Sequence, residues 1–439
     1  MRFGKRNVKK PTDNLFVISL FSGAMGLDLG LERAGFNTRA AVEINNAAVG
    51  TMRLNRPKLP IVSKSIRDTT TYEILEAVGL CPGEVTVISA GPCCQTFSTV
   101  GKRRSVADER GGLFREFCRI VAEARPRFFV MENVKGILSA AKKHRPLDER
   151  GPGFPPLCKE ELLGSALGLI LDELGNLNYY VVFGLLNAAD YGVPQKRWRV
   201  FFIGSRDGED ISLLRPTHYD PRAQEGLGSL FRRKLLPWVT LRKALNGVHS
   251  EHWSEFTKER LELLRRLEPG QDWRDLPPHL HRRALGAALD SWGGRTGFCR
   301  RLSWDEPAPT LTTAPDGRAT TLCHPTEDRP LSIEEYAVLQ EFPRKWKFAG
   351  SIRQQYVQIG NAVPLGLGEG VGRMLRRVMR ATAQTGLSQV NYRRRGLVVC
   401  GDAGLEERLA NRKKTQLHPA RLRKNPDPEA AKEWLEASA

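Results

Sequence analysis

The stretch VTVISAGPCCQTFS, residues 85–98, decides how the rest of the sequence is interpreted. Its apolar first part, Val85–Ser89, predicts a buried strand, and Gly91–Ser98 predicts the loop that leaves the carboxyl end of that strand. Open α/β sheets bind their ligands at this end, where nearby hydrogen-bond donors can ionise a thiol. We therefore interpret Gly91–Ser98 as an active-site loop. In isolation, Cys93 and Cys94 would more readily suggest two small buried residues of a turn.

The charge of the chain is strongly positive, at +19 over 439 residues. Such a field attracts polyanions and makes their binding salt-dependent, so nucleic acid is the expected partner. No apolar run reaches the ~20 residues of a membrane-spanning helix, and the run after the basic amino terminus is too short for a signal peptide. The eight cysteines form no CxxC pair, which favours reduced thiols in the cytoplasm over a structural zinc site.

Two strand–loop units predict a pocket for an adenosine-bearing ligand. The apolar segment 15–21 leads into the glycine-rich turn 22–30, where Gly23 allows close approach of a ligand and the next helix offers free N–H groups. About 20 residues later Glu43 ends a second strand, where a carboxylate can accept both ribose hydroxyl hydrogens. A helix-capping role for Glu43 is the alternative. A third unit is expected to place Ile66 and a polar neighbour over the adenine ring.

Charged side chains mark two further strands. Glu132 follows the predicted strand Arg127–Met131 among apolar residues, which favours a partly protonated carboxyl that donates a hydrogen bond. A solvent-facing glutamate at a helix start is the alternative. In the segment QKRWR, strand alternation puts Gln195, Arg197 and Arg199 on one face. This pattern indicates two guanidinium groups aimed into a cleft, or else an ordinary basic edge strand.

Six segments, taken in order, resemble the motifs of the DNA (cytosine-5) methyltransferase family of the bacterial restriction-modification type. They cover about residues 16–377 and are FSGAMG (21–26), GPCCQ (91–95), ENV (132–134), QKRWR (195–199), RLSW (301–304) with PTL (309–311), and GNAVP (360–364). Six segments in register make this resemblance highly specific. It implies an α/β fold with a Rossmann-like, S-adenosylmethionine-dependent methyltransferase sheet and a smaller target-recognition domain.

The resemblance also implies a mechanism. A target cytosine is flipped out of duplex DNA, and Cys94 attacks its C6 so that C5 can accept the methyl group of S-adenosylmethionine. Glu132 holds the N3 and N4 edge of the ring, while Arg197 and Arg199 lie near the cytosine O2 and the active-site carboxylate. No metal is expected.

Two sets of binding residues follow from the same resemblance. The cofactor-binding set is Phe21, Ser22, Gly23, Ala24, Glu43, Ile44, Ser65, Ile66, Gly91, Leu113, Asn361, Ala362 and Val363. The DNA-binding set is Gln95, Ser98, Lys102, Arg103, Arg104 and Gln195. The sequence departs from the family pattern at three positions: Cys93 replaces a commoner proline, Met25 replaces a frequent glycine, and Ser65 stands where an aspartate usually contacts the adenine amino group.

We expect residues 1–203 to begin the catalytic domain, residues 204–345 to form the target-recognition domain and residues 346–390 to return to the catalytic domain. Residues 391–439 have the composition of a basic, partly disordered tail. The expected partner is double-stranded DNA, bound by a cytoplasmic, nucleoid-associated monomer, with a cognate restriction endonuclease acting on the same site. Alternatives are methylation of cytosine in transfer RNA, a catalytically idle nucleic-acid-binding regulator, and a thiol-redox role for Cys93 and Cys94.

Overall fold

The computed structural model describes residues 15–92, 112–143, 145–146, 149–150, 153–222, 235–290, 297–385 and 394–415. Seven of the residues singled out above therefore lie outside the described residues: Cys93, Cys94, Gln95, Ser98, Lys102, Arg103 and Arg104. The roles of these residues stay predictions from the sequence.

The strands within the described ranges form one large sheet and two short pairs. They are β1 (Phe16–Leu20), β2 (Asn37–Val42), β3 (Ile61–Val62), β4 (Val87–Ala90), β5 (Phe128–Val134), β6 (Tyr180–Asn187), β7 (Gln195–Lys196), β8 (Trp198–Ser205), β9 (His218–Tyr219), β10 (Leu236–Pro237), β11 (Ala308–Pro309) and β12 (Val398–Cys400). The large sheet has the order β12-β6-β8-β5-β4-β1-β2-β3, while β10 pairs with β9 and β11 with β7.

The centre of the sheet is parallel, but β8 runs antiparallel between β5 and β6. Its first residues consequently lie beside the last residues of β5, with Val134 opposite Arg199. Strands β4 and β5 are almost completely buried, as expected for strands that are covered on both faces of a sheet. This arrangement brings charged side chains from two distant parts of the chain to one edge of the sheet.

Helices cover both faces of the sheet. They are α1 (Gly26–Arg33), α2 (Asn46–Asn55), α3 (Thr71–Glu76), α4 (Gly112–Ala124), α5 (Ser165–Asn176), α6 (Leu241–Leu245), α7 (Lys258–Leu264), α8 (His281–Leu285), α9 (Ile333–Leu339), α10 (Ile352–Asn361), α11 (Leu365–Thr385) and α12 (Ala403–Thr415). Helices α4 and α5 pack on one face and α1 and α11 on the other. A Cβ at Gly26 or Gly30 would overlap the main-chain oxygens of Val363 and Leu365, so glycine is needed where α1 meets the later chain.

Two further apolar clusters lie beyond the sheet faces. One small cluster joins Phe256, Leu264 and Cys323 and belongs to the middle of the chain. The other joins Tyr336 to Met25 and to further buried residues of α2 and α10, so this later segment shares a core with the glycine-rich turn. Part of the region expected to form the target-recognition domain, residues 204–345, therefore shares a core with the glycine-rich turn.

The structure differs from the expectation at two elements. The sequence of Glu160–Leu174 predicts one amphipathic helix, but helix α5 begins at Ser165, because Gly164 adopts a φ of 90° and residues 159–161 form a separate 3-10 turn. The expected tail after residue 391 contains ordered structure, since β12 pairs with β6 and Leu405 of α12 is buried in the core. Among the described helices, none is long and apolar enough to cross a membrane.

Candidate active site

A cleft of about 1600 Å³ opens at the carboxyl ends of the central parallel strands. All thirteen residues of the predicted cofactor-binding set line it, although they come from six separate segments of the chain. Glu132 and Arg199 line the same cleft, whereas Arg197 and Gln195 do not. The structure thus assembles one continuous site, in the place where open α/β sheets bind ligands.

The glycine-rich turn between β1 and α1 has an unusual backbone. Phe21, Gly23 and Met25 all have positive φ values, at 55°, 52° and 68°. A left-handed conformation costs a non-glycine residue on the order of 1–3 kcal/mol. Met25 is fully buried, and burying its side chain contributes about 1.5–3 kcal/mol, which offsets that strain. This burial explains how methionine is tolerated where glycine is frequent in the family.

Glu43 connects the glycine-rich turn to α2. Its carboxylate accepts hydrogen bonds from the main-chain N–H groups of Gly23 and Asn45, both at 2.8 Å. Asn45 in turn caps α2 by accepting from the N–H of Ala48 at 3.0 Å. Glu43 therefore orders the turn and the helix start while it also faces the cleft, and its contact with a ribose stays a prediction.

The opposite wall of this part of the cleft is apolar. Ile66 is buried at the start of a 3-10 turn, Ile44 is largely exposed, and Leu113 lies at the start of α4. The Ser65 hydroxyl accepts a hydrogen bond from the N–H of Arg67 at 3.3 Å, so it caps this turn. A flat aromatic ring could lie between these side chains with a polar group at its edge.

Glu132 and Arg199 form a buried ion pair. The Arg199 Nε lies 2.6 Å from the Glu132 Oε1, and each side chain is 10% exposed. Burial raises the pKa of the Glu132 carboxyl above its ordinary value, although Arg199 and then Arg197 oppose this shift. The solvent-facing alternative does not fit, because Glu132 is buried within β5. A carboxyl with a raised pKa keeps its proton to higher pH than an ordinary carboxyl does, and in that form it can donate a hydrogen bond.

Arg197 faces inward but away from the cleft lining. Its guanidinium donates to the main-chain oxygens of Leu311 at 3.0 Å and Gly360 at 2.6 Å. Gln195 is fully buried, and its Oε1 accepts a hydrogen bond from the N–H of Leu311. Gln195, Arg197 and Arg199 are all buried, as strand alternation predicts, yet only Arg199 lines the cleft. A fully buried Gln195 does not fit the predicted contact with DNA.

Gln340, which follows α9, is a site residue that the sequence does not reveal. Its side-chain amide donates to the main-chain oxygens of Ile359 at 2.6 Å and Ala362 at 3.1 Å, and its Oε1 accepts from Gln195 at 3.0 Å. Gln340 therefore holds the turn that carries Asn361 to Val363, which lines the cleft. No local pattern in the sequence marks a glutamine at the end of a helix as such a residue.

Asp28 is a second missed residue, although an acidic side chain on the apolar side of α1 was a visible signal. The hydroxyls of Ser19 and Ser89 donate to its carboxylate at 2.8 and 2.7 Å. Burial raises the pKa of Asp28 to about 6. Asp28 thus joins α1 to β1 and β4, and all three of these side chains line the cleft. In the described part of the chain, no group of three or more His, Cys, Asp or Glu residues is placed to hold a metal ion.

Comparison with known proteins identifies the family. The model of the C-5 cytosine-specific DNA methylase family matches residues 15–377 of this chain. The chain belongs to this family. It is a DNA methyltransferase, and the predicted Rossmann-like α/β fold is confirmed.

Bacterial relatives support this conclusion. The chain is 36% identical over 373 residues to the Type II methyltransferase M.Sau96I of Staphylococcus aureus, with 84% of this chain and 77% of the relative covered. It is 34% identical over 377 residues to the Type II methyltransferase M.Eco47II of Escherichia coli, with 83% and 79% covered. A crystal structure of a prophage-encoded DNA modification methyltransferase of E. coli matches with a TM-score of 0.56 and 25% identity, and covers 84% of this chain and 100% of that chain.

Proposed function

We propose that this enzyme transfers a methyl group from S-adenosylmethionine to C5 of a cytosine that is flipped out of duplex DNA. The observation that carries the proposal is a single cleft that joins the predicted cofactor residues to the buried Glu132–Arg199 pair. A cofactor pocket and a protonatable carboxyl in one cavity are what methyl transfer to an inactive ring carbon requires.

The residues of the cleft fit S-adenosylmethionine. Gly23 has a positive φ, and a Cβ built there would meet nothing within 4 Å, so the turn leaves open space for a ligand against its backbone. Glu43 is the acidic group that suits ribose hydroxyls, and Ile66 with Leu113 suits an adenine ring. When bound, this cofactor supplies an electrophilic methyl group.

Cytosine C5 accepts a methyl group only after C6 has been attacked, and a thiolate adds readily to such a conjugated position. Cys94 lies outside the described residues, but it follows Pro92, which lines the cleft, by two positions. We assign Cys94 as the nucleophile. Its thiolate forms a bond to C6, C5 gains the methyl group, and loss of the C5 proton then expels the thiolate.

Glu132 is assigned to the N3 and N4 edge of the cytosine. In its protonated form it donates a hydrogen bond to N3, where negative charge develops as the thiolate adds. Arg199 keeps this carboxyl oriented and lines the cleft, and we assign it the contact with the ring O2. Arg197 is assigned a positioning role, since its guanidinium binds main-chain oxygens of the segments that carry Leu311 and Gly360.

The net charge and the bacterial relatives support a proposal for the substrate and the cellular role of the enzyme. A net charge of +19 favours a polyanionic substrate, and a target atom inside a duplex must leave the base stack before it can enter a cleft. The relatives named above are Type II methyltransferases, which supports protection of DNA in a restriction-modification system with a cognate endonuclease. We assign recognition of the DNA sequence to the region from about 204 to 298. We also propose that the enzyme is a monomer and that it acts in the cytoplasm.

The experiment that tests this function is sequencing of methylated bases in DNA from cells that express the chain, beside cells that express Cys94→Ser. We expect 5-methylcytosine at one recurring sequence in the first culture and none in the second. A purified-enzyme assay with duplex DNA and transfer RNA separates the two substrates. Methyl transfer to transfer RNA alone would refute the proposal.

A further inference from the structure

The chain beyond the family match adds a wall to the cleft. The match ends at residue 377, yet β12 extends the central sheet by pairing in parallel with β6. The pairing sets Val398 opposite Val181 and Cys400 opposite Phe183. Since β6 runs on to Asn187, opposite Trp198 at the cleft edge, the chain that leaves β12 in parallel also heads toward the cleft.

Helix α12, which follows β12, is held in place by its apolar face. Leu405 is 3% exposed and belongs to the core beneath α5, and Leu409 packs against the same core. The side chain of Asp402 accepts a hydrogen bond from the N–H of Leu405 at 2.9 Å and so caps the first turn. Leu405, Arg408 and Leu409 all line the cleft.

Arg408 presents a cation at this wall. Its side chain is 57% exposed, and its nearest acidic partner, Asp402, is 3.8 Å away. An exposed ion pair at this distance is weak, so the guanidinium can exchange this partner for another anion.

The strand order shows where Arg408 lies relative to the predicted cofactor residues. Strand β12 is at one end of the sheet, separated from β1 by four strands and from β2 by five, so α12 lies far from Gly23 and Glu43. It shares the other side of the cleft with Lys135 and Trp198, where the Lys135 ammonium lies 5.5 Å from the centre of the Trp198 ring. This side of the cleft therefore carries the cationic side chains of Lys135 and Arg408 and lies away from the predicted cofactor residues Gly23 and Glu43.

We propose that Arg408 binds a phosphate of the DNA strand that carries the target cytosine. The inference rests on the proposed function, because it takes DNA as the ligand of the cleft. A guanidinium matches the fork geometry of a phosphate, and a contact of this kind adds affinity without sequence preference.

The test compares Arg408→Ala with the unaltered enzyme by fluorescence anisotropy, using a short labelled DNA duplex that the unaltered enzyme methylates. Loss of one phosphate contact should reduce the slope of log K against log salt by about 0.9 and weaken binding roughly five- to tenfold near 0.1 M salt. Arg408→Lys should keep most of the slope. Arg394→Ala is the matched control, since Arg394 pairs with Asp210 at 2.7 Å and does not line the cleft, and it should bind as the unaltered enzyme does.

Activity and cofactor binding separate this inference from the proposed function. For Arg408→Ala we expect a higher KM for unmethylated genomic DNA with little loss of kcat, and an unchanged affinity for S-adenosylmethionine by calorimetry. An unchanged salt slope, or weakened cofactor binding, would overturn the role of Arg408. Absence of methyl transfer by the unaltered enzyme would instead refute the proposed function, whatever the binding data show.

Discussion

Glu132→Gln tests the proposed chemistry most directly. Glutamine keeps the shape of the side chain and an oxygen that can accept from Arg199, whose Nε lies 2.6 Å from the Glu132 Oε1. Hydrogen bonds to charged groups contribute about 1 kcal/mol more than neutral ones, so the free energy of unfolding should fall by about 1 kcal/mol. Arg199→Ala should cost more, about 3–5 kcal/mol, because it leaves a buried carboxyl without its partner.

Glu132→Gln should raise the activation free energy of methyl transfer by more than it lowers the free energy of unfolding. Removing a group that stabilises developing charge typically lowers kcat by about 10²–10³, or about 2.7–4 kcal/mol. The pKa of Glu132 is raised by burial, so its protonated form persists to higher pH than in an ordinary glutamate. Activity that needs this proton should fall as the pH rises through that raised pKa. The residual activity of Glu132→Gln should not decrease over this pH range.

The assay is single-turnover methyl transfer at saturating DNA, with DNA affinity and thermal unfolding measured beside it. Glu335→Gln is a matched control, because Glu335 forms a buried pair with Arg329 at 2.8 Å but does not line the cleft. It should lower stability without slowing methyl transfer. A normal single-turnover rate for Glu132→Gln, combined with a large loss of DNA affinity, would refute the role given to Glu132.

Three further predictions address the nucleophile, the cofactor and a buried acid. Cys94→Ser should abolish methyl transfer with DNA binding retained, whereas Cys93→Ser stays active; the reverse result would exchange their roles. Glu43→Ala should weaken S-adenosylmethionine binding by calorimetry, and an unchanged affinity would leave Glu43 with a capping role only. Since burial raises the pKa of Asp28 to about 6, stability should fall as the pH rises from ~4 to ~6, by about 3 kcal/mol in total. Urea unfolding of Asp28→Asn should lack that decrease, and an identical pH dependence would show that Asp28 does not titrate there.

Much of the site was readable from the sequence because its residues sit where strands end. In a parallel sheet, strand carboxyl ends meet at one edge, so a local pattern of strand and loop also predicts a shared location. Gly23, Glu43 and Gly91 could therefore be assigned to one pocket from their positions in three strand–loop units, and the structure brings them into one cleft. The Rossmann-like fold class was implied by the resemblance of six segments to the motifs of the family.

Other features depended on contacts between residues far apart in the chain. Alternation predicts that Arg197 and Arg199 share a face, but the partners of Arg197 are carbonyl oxygens of Leu311 and Gly360, which lie more than 100 residues away in the sequence. Gln340 could not be recognised for the same reason, since its role comes entirely from the turn that it contacts.

The end of the chain shows the same limit most clearly. Its basic, polar composition predicts a partly disordered tail, because composition describes the average of a whole segment. A strand of only three residues, such as β12, has almost no effect on that average. Pairing with β6 supplies the hydrogen bonds, and burial of Leu405 supplies the apolar contact that holds α12 in place. The sequence by itself determined the motifs of the family and predicted that they share one edge of the sheet. Only the tertiary structure decided which side chains reach the cleft, because burial and pairing are set by neighbours that the local sequence does not contain.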